Sequence, residues 1–254
     1  MKKPICLVIG AGAGIGGNVG KRFAREGYHA VLCRRSDEEG LNKLVSEIEA
    51  EGGSASGYLL DASKESSIED RIAEIESDLG PIEVVLYNLG AQIGDRALSD
   101  TTYKAFELGW RLGTFGLFRV ASTVCPLMEA RGKGTILVTS ATSAVRGNAG
   151  QHSHAAAMGG RRMLCQSLNA QFAPKGIHIA HIIVDGAVDA PDTLGKMLGA
   201  DKFQKLRETR GAADGLMLPV KIAETYYHIA QQHRSVWTHE LDMRSFSDLA
   251  WWNH

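Results

Sequence analysis

Proton transfer near neutral pH needs a group that titrates there, and GQHSHAAAMGG (residues 150–160) offers one in an uncommon setting. An imidazole has an unperturbed pKa of about 6.5, so His154 can donate or accept a proton without a neighbour to tune it. Met158, four residues on, shares its face of a helix and brings neither charge nor an exchangeable proton. His152 sits off that face and reads as a loop residue. An i, i+2 histidine pair does not converge on a metal, and no H-E-x-x-H pattern accompanies it, so no metal site is expected. Just upstream, Ser140 and Ser143 supply hydroxyls on either side of Ala141 and Thr142.

A second set of residues suits binding. GAGAGIGG (10–17) follows an apolar run and opens a helical period. Glycines let the backbone turn sharply and approach a pyrophosphate, which then rests on the helix's free N–H groups and positive end. The strand-before, helix-after setting makes this a strong dinucleotide signal, with Gly10, Gly14, Ile15 and Gly16 as contacts. At the end of the next apolar run an Asp would bond the ribose 2′-hydroxyl of NAD. Arg34 and Arg35 stand there instead. A guanidinium fork matches a phosphate and offers nothing to a pair of hydroxyls, so the expected cofactor is NADP(H).

The elements that must hold these groups alternate along the chain. ICLVI (5–9), AVLC (30–33), GYLL (57–60), IEVVLY (82–87), TILVT (135–139) and IHIAHIIV (177–184) read as strands. Ser36 to Glu39 reads as a capping box opening a helix striped by Leu41, Leu44, Val45 and Ile48. Ile68, Ile72, Ile75 and Leu79 mark another helix, stopped by Gly80-Pro81. Near-continuous apolar strands alternating with helices predict an α/β fold, a doubly wound parallel sheet of Rossmann type with about seven strands and helices on both faces. No linker or repeat divides the chain, so 1–254 reads as a single domain.

Composition narrows the class. Lys plus Arg number 28 against 29 Asp plus Glu, which gives no sign of a nucleic-acid or membrane-surface binder. The five-residue run after MKKP is too short for a signal-peptide core of roughly 7–15 residues. No stretch approaches the ~20 apolar residues of a membrane span. Cys6, Cys33, Cys125 and Cys165 are scattered and read as buried free thiols, in keeping with a cytoplasmic protein.

Taken together, these residues resemble the short-chain dehydrogenase/reductase family. Gly10, Gly14 and Gly16 match its G-x-x-x-G-x-G loop. Asp61, followed by Ala62, matches the acid that contacts adenine. YNLG (87–90) stands where the family writes N-N-A-G and keeps Asn88 and Gly90. FELGWRLGTFGLF (106–118), GTILVTSATS (134–143) and IHIAHIIVDGAVDAP (177–191) follow its later pattern, with Asp185-Gly186 in place of Pro-Gly near the nicotinamide amide. The resemblance implies a nicotinamide-dependent oxidoreductase acting on a small carbonyl or alcohol. It also implies catalysis by Asn, Ser, Tyr and Lys, and here the match fails. Those positions fall on Gly113, Ala141, His154 and Met158, and the stretch from Gly134 to Met158 aligns without a gap.

The reading is therefore an NADP(H)-binding oxidoreductase with an atypical active site. His154 is the candidate acid/base, and Ser140 and Ser143 are weaker candidates. Its rivals are a non-redox enzyme (lyase, isomerase or dehydratase) using His154, and an inactive NADP-binding protein. Tyr87 and Gln92 flank the cofactor end of the fourth strand; Arg146 and Asn148 are as consistent with a solvated loop as with substrate binding. A segment near 187–217 is expected to cover the substrate. AWW (250–252) looks exposed and in need of a pocket or partner. By the resemblance, a homodimer or homotetramer would pair through 101–126 and 151–173 and bury Phe115, Phe118, Leu164 and Leu168 where they are not already core.

Overall fold

The apolar runs become strands because each is long enough to cross a sheet and too apolar to leave either face in water. In chain order the elements are β1 (Ile5–Ile9), α1 (Ile15–Arg25), β2 (His29–Arg34), α2 (Glu38–Ala50), β3 (Ser54–Leu59), α3 (Ser67–Glu74), β4 (Ile82–Tyr87) and α4 (Tyr103–Trp110). There follow α5 (Gly116–Arg131), β5 (Gly134–Ala141), α6 (His152–Phe172), β6 (Ile177–Val184), α7 (Lys196–Leu198), α8 (Ala200–Thr209), α9 (Pro219–Ala230) and β7 (Glu240–Met243). The structure, a computed structural model, describes residues 2–90 and 96–253. Its sheet has seven strands in the order β3-β2-β1-β4-β5-β6-β7, every neighbouring pair parallel. This is a single-domain Rossmann-type fold.

Strand alternation sorts the core into two layers. Leu7, Val85, Val138 and Ile179 pack with α3, α5 and α6 through residues such as Ile72, Val124 and Leu168. Val8, Leu32, Leu86 and Leu137 pack on the opposite face with α1, α2 and α9 through Phe23, Ile48 and Ile229. Truncating a fully buried leucine such as Leu7 to alanine costs about 2–5 kcal/mol. The strand order reverses between β1 and β4, so the carboxyl ends of those strands splay into the crevice where ligands collect in open α/β sheets.

Three local expectations need correction, and one of the expected seven strands carries no sequence signal. The residue capping α2 is Asp37, not Ser36 with Glu39: its carboxylate accepts from Gly40 N at 3.0 Å, and its left-handed φ of 67° turns the chain into the helix. β3 begins at Ser54 and ends at Leu59, earlier than GYLL suggests, because β2 pairs with it from His29↔Ser54 onward. His152 is not in a loop but is the first residue of α6. β7 has no apolar run to announce it, since ELDM alternates charge with bulk; pairing with β6 from His181↔Glu240 makes it a strand.

All four cysteines are buried and free. Burial pushes the thiols of Cys33, Cys125 and Cys165 up to about 12, which leaves them protonated and unreactive at neutral pH. Among the described residues no helix is long and apolar enough to cross a membrane, and no cluster of His, Cys, Asp and Glu could hold a metal ion.

Candidate functional site

At the carboxyl end of β1 the chain turns at Gly10, whose φ of +99° lies where side chains are strained. A Cβ there would stand 2.7 Å from the Asn88 carbonyl oxygen; one on Gly16 would stand 2.2 Å from that of Gly10. The loop thus has no room for side chains against β4. Asn88 closes the joint by donating from Nδ2 to the Gly10 carbonyl at 2.9 Å. α1 then starts at Ile15 with no side-chain cap and no acidic residue in its first turn, so its free N–H groups and positive end face outward. Ala190 of the following loop lies against Gly14, which places the 187–217 segment beside the glycine loop.

A cleft of about 350 Å³ opens beside this loop, bordered by Gly10, Arg34, Arg35, Asp61, Asn88 and Gly90. Arg35 is exposed; Arg34 is mostly covered and pairs with Asp37 at 2.8 Å. The Ser63 hydroxyl, at 2.7 Å, holds the Asp61 carboxyl below the usual carboxylate range. Ala62 borders the same cleft, and its carbonyl accepts from Arg119, which is in turn clasped by both oxygens of Glu69.

Beneath the cleft lies a cation that sequence reasoning missed. Arg161 is buried, 1% exposed, and has no carboxylate partner among the described residues. Its Nε donates to Gly113 O at 2.7 Å, its Nη1 to Thr139 O at 2.5 Å and its Nη2 to Leu89 O at 2.8 Å. The Gly113 carbonyl is available because Arg111–Phe115 forms a π-helical turn between α4 and α5, which interrupts the i→i−4 ladder. Tyr87 is buried beside this turn and gives its hydroxyl to Leu112 O, so it does not face the cleft as a ligand group. A signal for Arg161 existed: Ala157, Arg161, Cys165, Leu168 and Phe172 are the buried stripe of α6, and an arginine there must find buried acceptors.

A second cavity, of about 410 Å³, opens where β5 and β6 end against the start of α6. His154 and Ser143 border it together; Ser140 does not, because its buried hydroxyl turns toward Met158 Sδ at 3.9 Å. Ser140 is therefore removed from the set that can meet a substrate beside His154. Arg146 and Asn148 border the cavity too. The Asp185 carboxylate is committed within the protein, accepting from Thr142 Oγ1 at 2.8 Å, Trp251 N at 3.1 Å and Arg244 Nε at 3.2 Å. Gly186 remains on the cavity wall. Gln92 lies outside the described residues.

The AWW segment finds its pocket on its own domain through the same network. Ala250 is buried and Trp251 half-buried, tied through its N–H to Asp185 and through its carbonyl to Arg146; only Trp252 stands out, under the guanidinium of Arg244. The C-terminal segment thus crosses the mouth of the cavity and brings Asp248 and Leu249 to its rim. Nothing in local sequence pattern pairs residue 185 with residue 251.

Comparison with known proteins agrees with this architecture. The model of the family "short chain dehydrogenase" matches residues 4–195. The short-chain reductase protein NovJ of Streptomyces niveus is 28% identical over 243 residues, spanning 94% of this chain and 91% of that protein. The crystal structure of a short-chain dehydrogenase from Rhodopseudomonas palustris superposes with a TM-score of 0.79 at 31% identity, covering 96% of this chain and 99% of that one. An alcohol dehydrogenase from Thermococcus sibiricus, solved with 5-hydroxy-NADP, shares the fold with a TM-score of 0.83 at 23% identity, over 98% of this chain and 99% of that one. With a matching family model over most of its length and this glycine-loop crevice, the chain belongs to the short-chain dehydrogenase family.

Proposed function

We propose that the protein is an NADP(H)-dependent oxidoreductase acting on a small carbonyl or alcohol, with His154 as the proton donor and acceptor. The observation that carries the cofactor choice is the cleft in which Arg34 and Arg35 stand beside Gly10, Asp61 and Asn88. Bound NADPH supplies the hydride. The chain's own residues do the rest: the α1 N-terminus receives the pyrophosphate, the two guanidinium groups receive the 2′-phosphate, and Asp61 and Ala62 border the adenine. His154 faces the cavity that would hold the substrate and delivers a proton to the carbonyl oxygen as it gains negative charge. Oxidation of NADPH against a panel of aldehydes and ketones tests the reading; no turnover with any of them, with NADPH bound, overturns it.

One observation favours a non-redox reading. Met158 is 2% exposed and packs with Ala157 against Ala141 and Ala144, so an apolar contact fills the place where the family's Ser and Lys would stand. A lyase or isomerase using His154 needs neither. Turnover that persists after cofactor is removed would identify it. NADP binding with neither kind of turnover would leave a binding protein.

The proposed assembly is a homodimer or homotetramer in the cytoplasm, through α4, α5 and α6. Trp110, Phe115 and Phe118 stack in a ladder with centroid spacings of 5.3 and 6.3 Å, and Phe118 is half exposed. Leu168 is already core, so Phe118, Phe115 and Leu164 are the residues left for the interface. A monomeric mass at micromolar concentration would count against it.

A further inference from the structure

We infer that the cavity at the start of α6 takes a substrate bearing a carboxylate, with Arg146 as its counter-ion. The inference rests on the reading above in one respect only, that substrate enters this cavity.

The Arg146 guanidinium is the first reason. Among the described residues, four charged side chains other than His154 border the cavity: Arg146, Asp185, Arg210 and Asp248. Arg210 is paired with Asp248. Asp185 is paired from outside the lining by Arg244 and takes two further hydrogen bonds, from Thr142 and Trp251. Arg146 has no carboxylate partner among the described residues. Among the described residues its guanidinium makes one hydrogen bond, from Nη1 to the Trp251 carbonyl at 3.0 Å. Arg244 is shared between Asp185 and Asp242, so the described charges around the cavity balance overall, but a guanidinium has five N–H donors in a planar fork and most of the Arg146 fork is unspent among the described residues.

Two further features point the same way. α6 is 21 residues long, and Gln151 at its start provides no side-chain cap; no acidic residue lies in its first turn. Its free N–H groups and positive end therefore meet the cavity that Gln151 and His154 border. Ser143 is 6% exposed, and its hydroxyl makes no hydrogen bond among the described residues while lining the same cavity. A buried hydroxyl left unpaired is costly, and a ligand oxygen would satisfy it. A carboxylate answers all three: two oxygens for the guanidinium fork, negative charge for the helix terminus, an acceptor for Ser143.

The C-terminal segment adds a consequence. Arg146 is held through the Trp251 carbonyl, and Trp251 through Asp185, so the segment that covers the cavity also aims the guanidinium. Hydrogen bonding through backbone atoms leaves the charge of Arg146 intact while fixing its direction.

The test uses the full-length protein saturated with NADP, so that no hydride transfer occurs and the cofactor's phosphate site is filled. Binding of benzoate and hexanoate is compared with that of benzamide and hexanamide by saturation-transfer NMR titration. The acids are expected to bind roughly tenfold or more tightly than the amides, as charge-assisted bonds exceed neutral ones. Arg146→Gln should erase that preference, Arg146→Lys should keep part of it, and Ser143→Ala should weaken the acids by a smaller factor. Equal binding of acids and amides, no saturable binding of the acids, or a preference that survives in Arg146→Gln overturns the inference; should the Gln variant not fold, Arg146→Ala is read in its place by the same criterion. Turnover is not needed, so an enzyme that binds acids through Arg146 but reduces nothing overturns only the oxidoreductase reading, and one that reduces neutral ketones without acid preference overturns only this one.

Discussion

The two cavities lie at the same carboxyl edge of the sheet and are built in opposite ways. The Gly10–Asn88 cleft is shaped by main chain, with a turn too tight for side chains, a helix terminus, and carbonyls held by Asn88 and Arg119, and has the Arg34, Arg35 and Asp61 side chains along its border. The Arg146 cavity is made of side chains and held from far along the chain: Arg146 to Trp251, Asp185 to Trp251, Asp185 to Arg244. A main-chain site demands particular residue types at fixed short spacings. A side-chain site demands only that the partners meet after folding. The first kind suits a ligand of constant shape; the second leaves the pocket's side chains free to vary.

The largest effect that would separate the two halves is at His154. His154→Ala is expected to lower turnover by about 10²–10⁴, the usual worth of a general acid or base. The dissociation constant for NADPH should stay within experimental error, because the cleft's contacts lie elsewhere. Steady-state kinetics with parallel cofactor titration checks both. Undiminished turnover would make the imidazole a lining group and shift the acid/base role away from the α6 start.

Next comes Arg161, where the two halves are joined. It ties Leu89, at the edge of the cofactor cleft, to Gly113 in the π-helical turn and Thr139 near the end of β5. Arg161→Met keeps the bulk and orphans three carbonyls, each costing roughly 1–3 kcal/mol, offset in part by relief of a buried charge. A loss of about 3 kcal/mol in urea unfolding is expected, with weaker NADPH binding as Leu89 loosens. An unchanged midpoint would mean that the halves are joined elsewhere.

Legibility followed the same division. The glycine loop, the strand ends at Arg34 and Asn88, and the two-layer core could be read because each depends on neighbours within a few residues. Asp37 as the cap of α2 could not be separated from Ser36, since both side chains can accept from the first turn and only the left-handed turn at residue 37 selects between them. β7 escaped because its residues are half-buried on both faces and it exists through pairing with β6. His154 and Arg146 were visible as residues, but the commitment of Asp185 to the C-terminal segment was not, because its partners are 59 and 66 positions away. Ser140 and Ser143 looked equivalent in sequence. They differ because β5 ends between them: the Ser140 hydroxyl turns onto Met158, while Ser143 borders the cavity with its hydroxyl buried and without a hydrogen bond among the described residues.

Cofactor preference sharpens the cleft side of the comparison at a smaller scale. Arg34→Ala with Arg35→Ala should weaken NADPH while barely changing NADH, since each charge-assisted bond to the 2′-phosphate is worth roughly 1.5–3 kcal/mol. Arg34 must turn from Asp37 to reach a phosphate, so its share lies at the low end and Arg35, exposed and without an ion pair among the described residues, carries more. The single variants measured separately by isothermal titration distinguish the two. Equal affinities for NADPH and NADH in the parent protein would remove the preference altogether.

The smallest effect expected is a pH dependence of stability arising on the β6–β7 side. His181 is completely covered, and burial pushes its imidazole down to about 4 despite the nearby Glu240 carboxylate. The groups around it are Glu240 on β7 at 3.1 Å and the cations Arg161 and Arg162 on α6; Arg162 clasps Glu240 with two bonds and holds that carboxyl below its usual range. The folded protein therefore takes up the His181 proton only well below the pH at which an unfolded chain does. Its contribution to stability is complete above about pH 6.5 and is lost as pH falls toward 4, with a slope of at most about 1.4 kcal/mol per pH unit for one proton. Burial lowers His178 as well, so the two add in the same direction, and Glu240 extends the loss to lower pH. His181→Gln keeps a group able to bond Glu240 and cannot titrate, so urea unfolding measured from pH 7 to pH 4.5 should show a flatter profile in the variant. An identical slope would assign the acid sensitivity to groups outside β6 and β7.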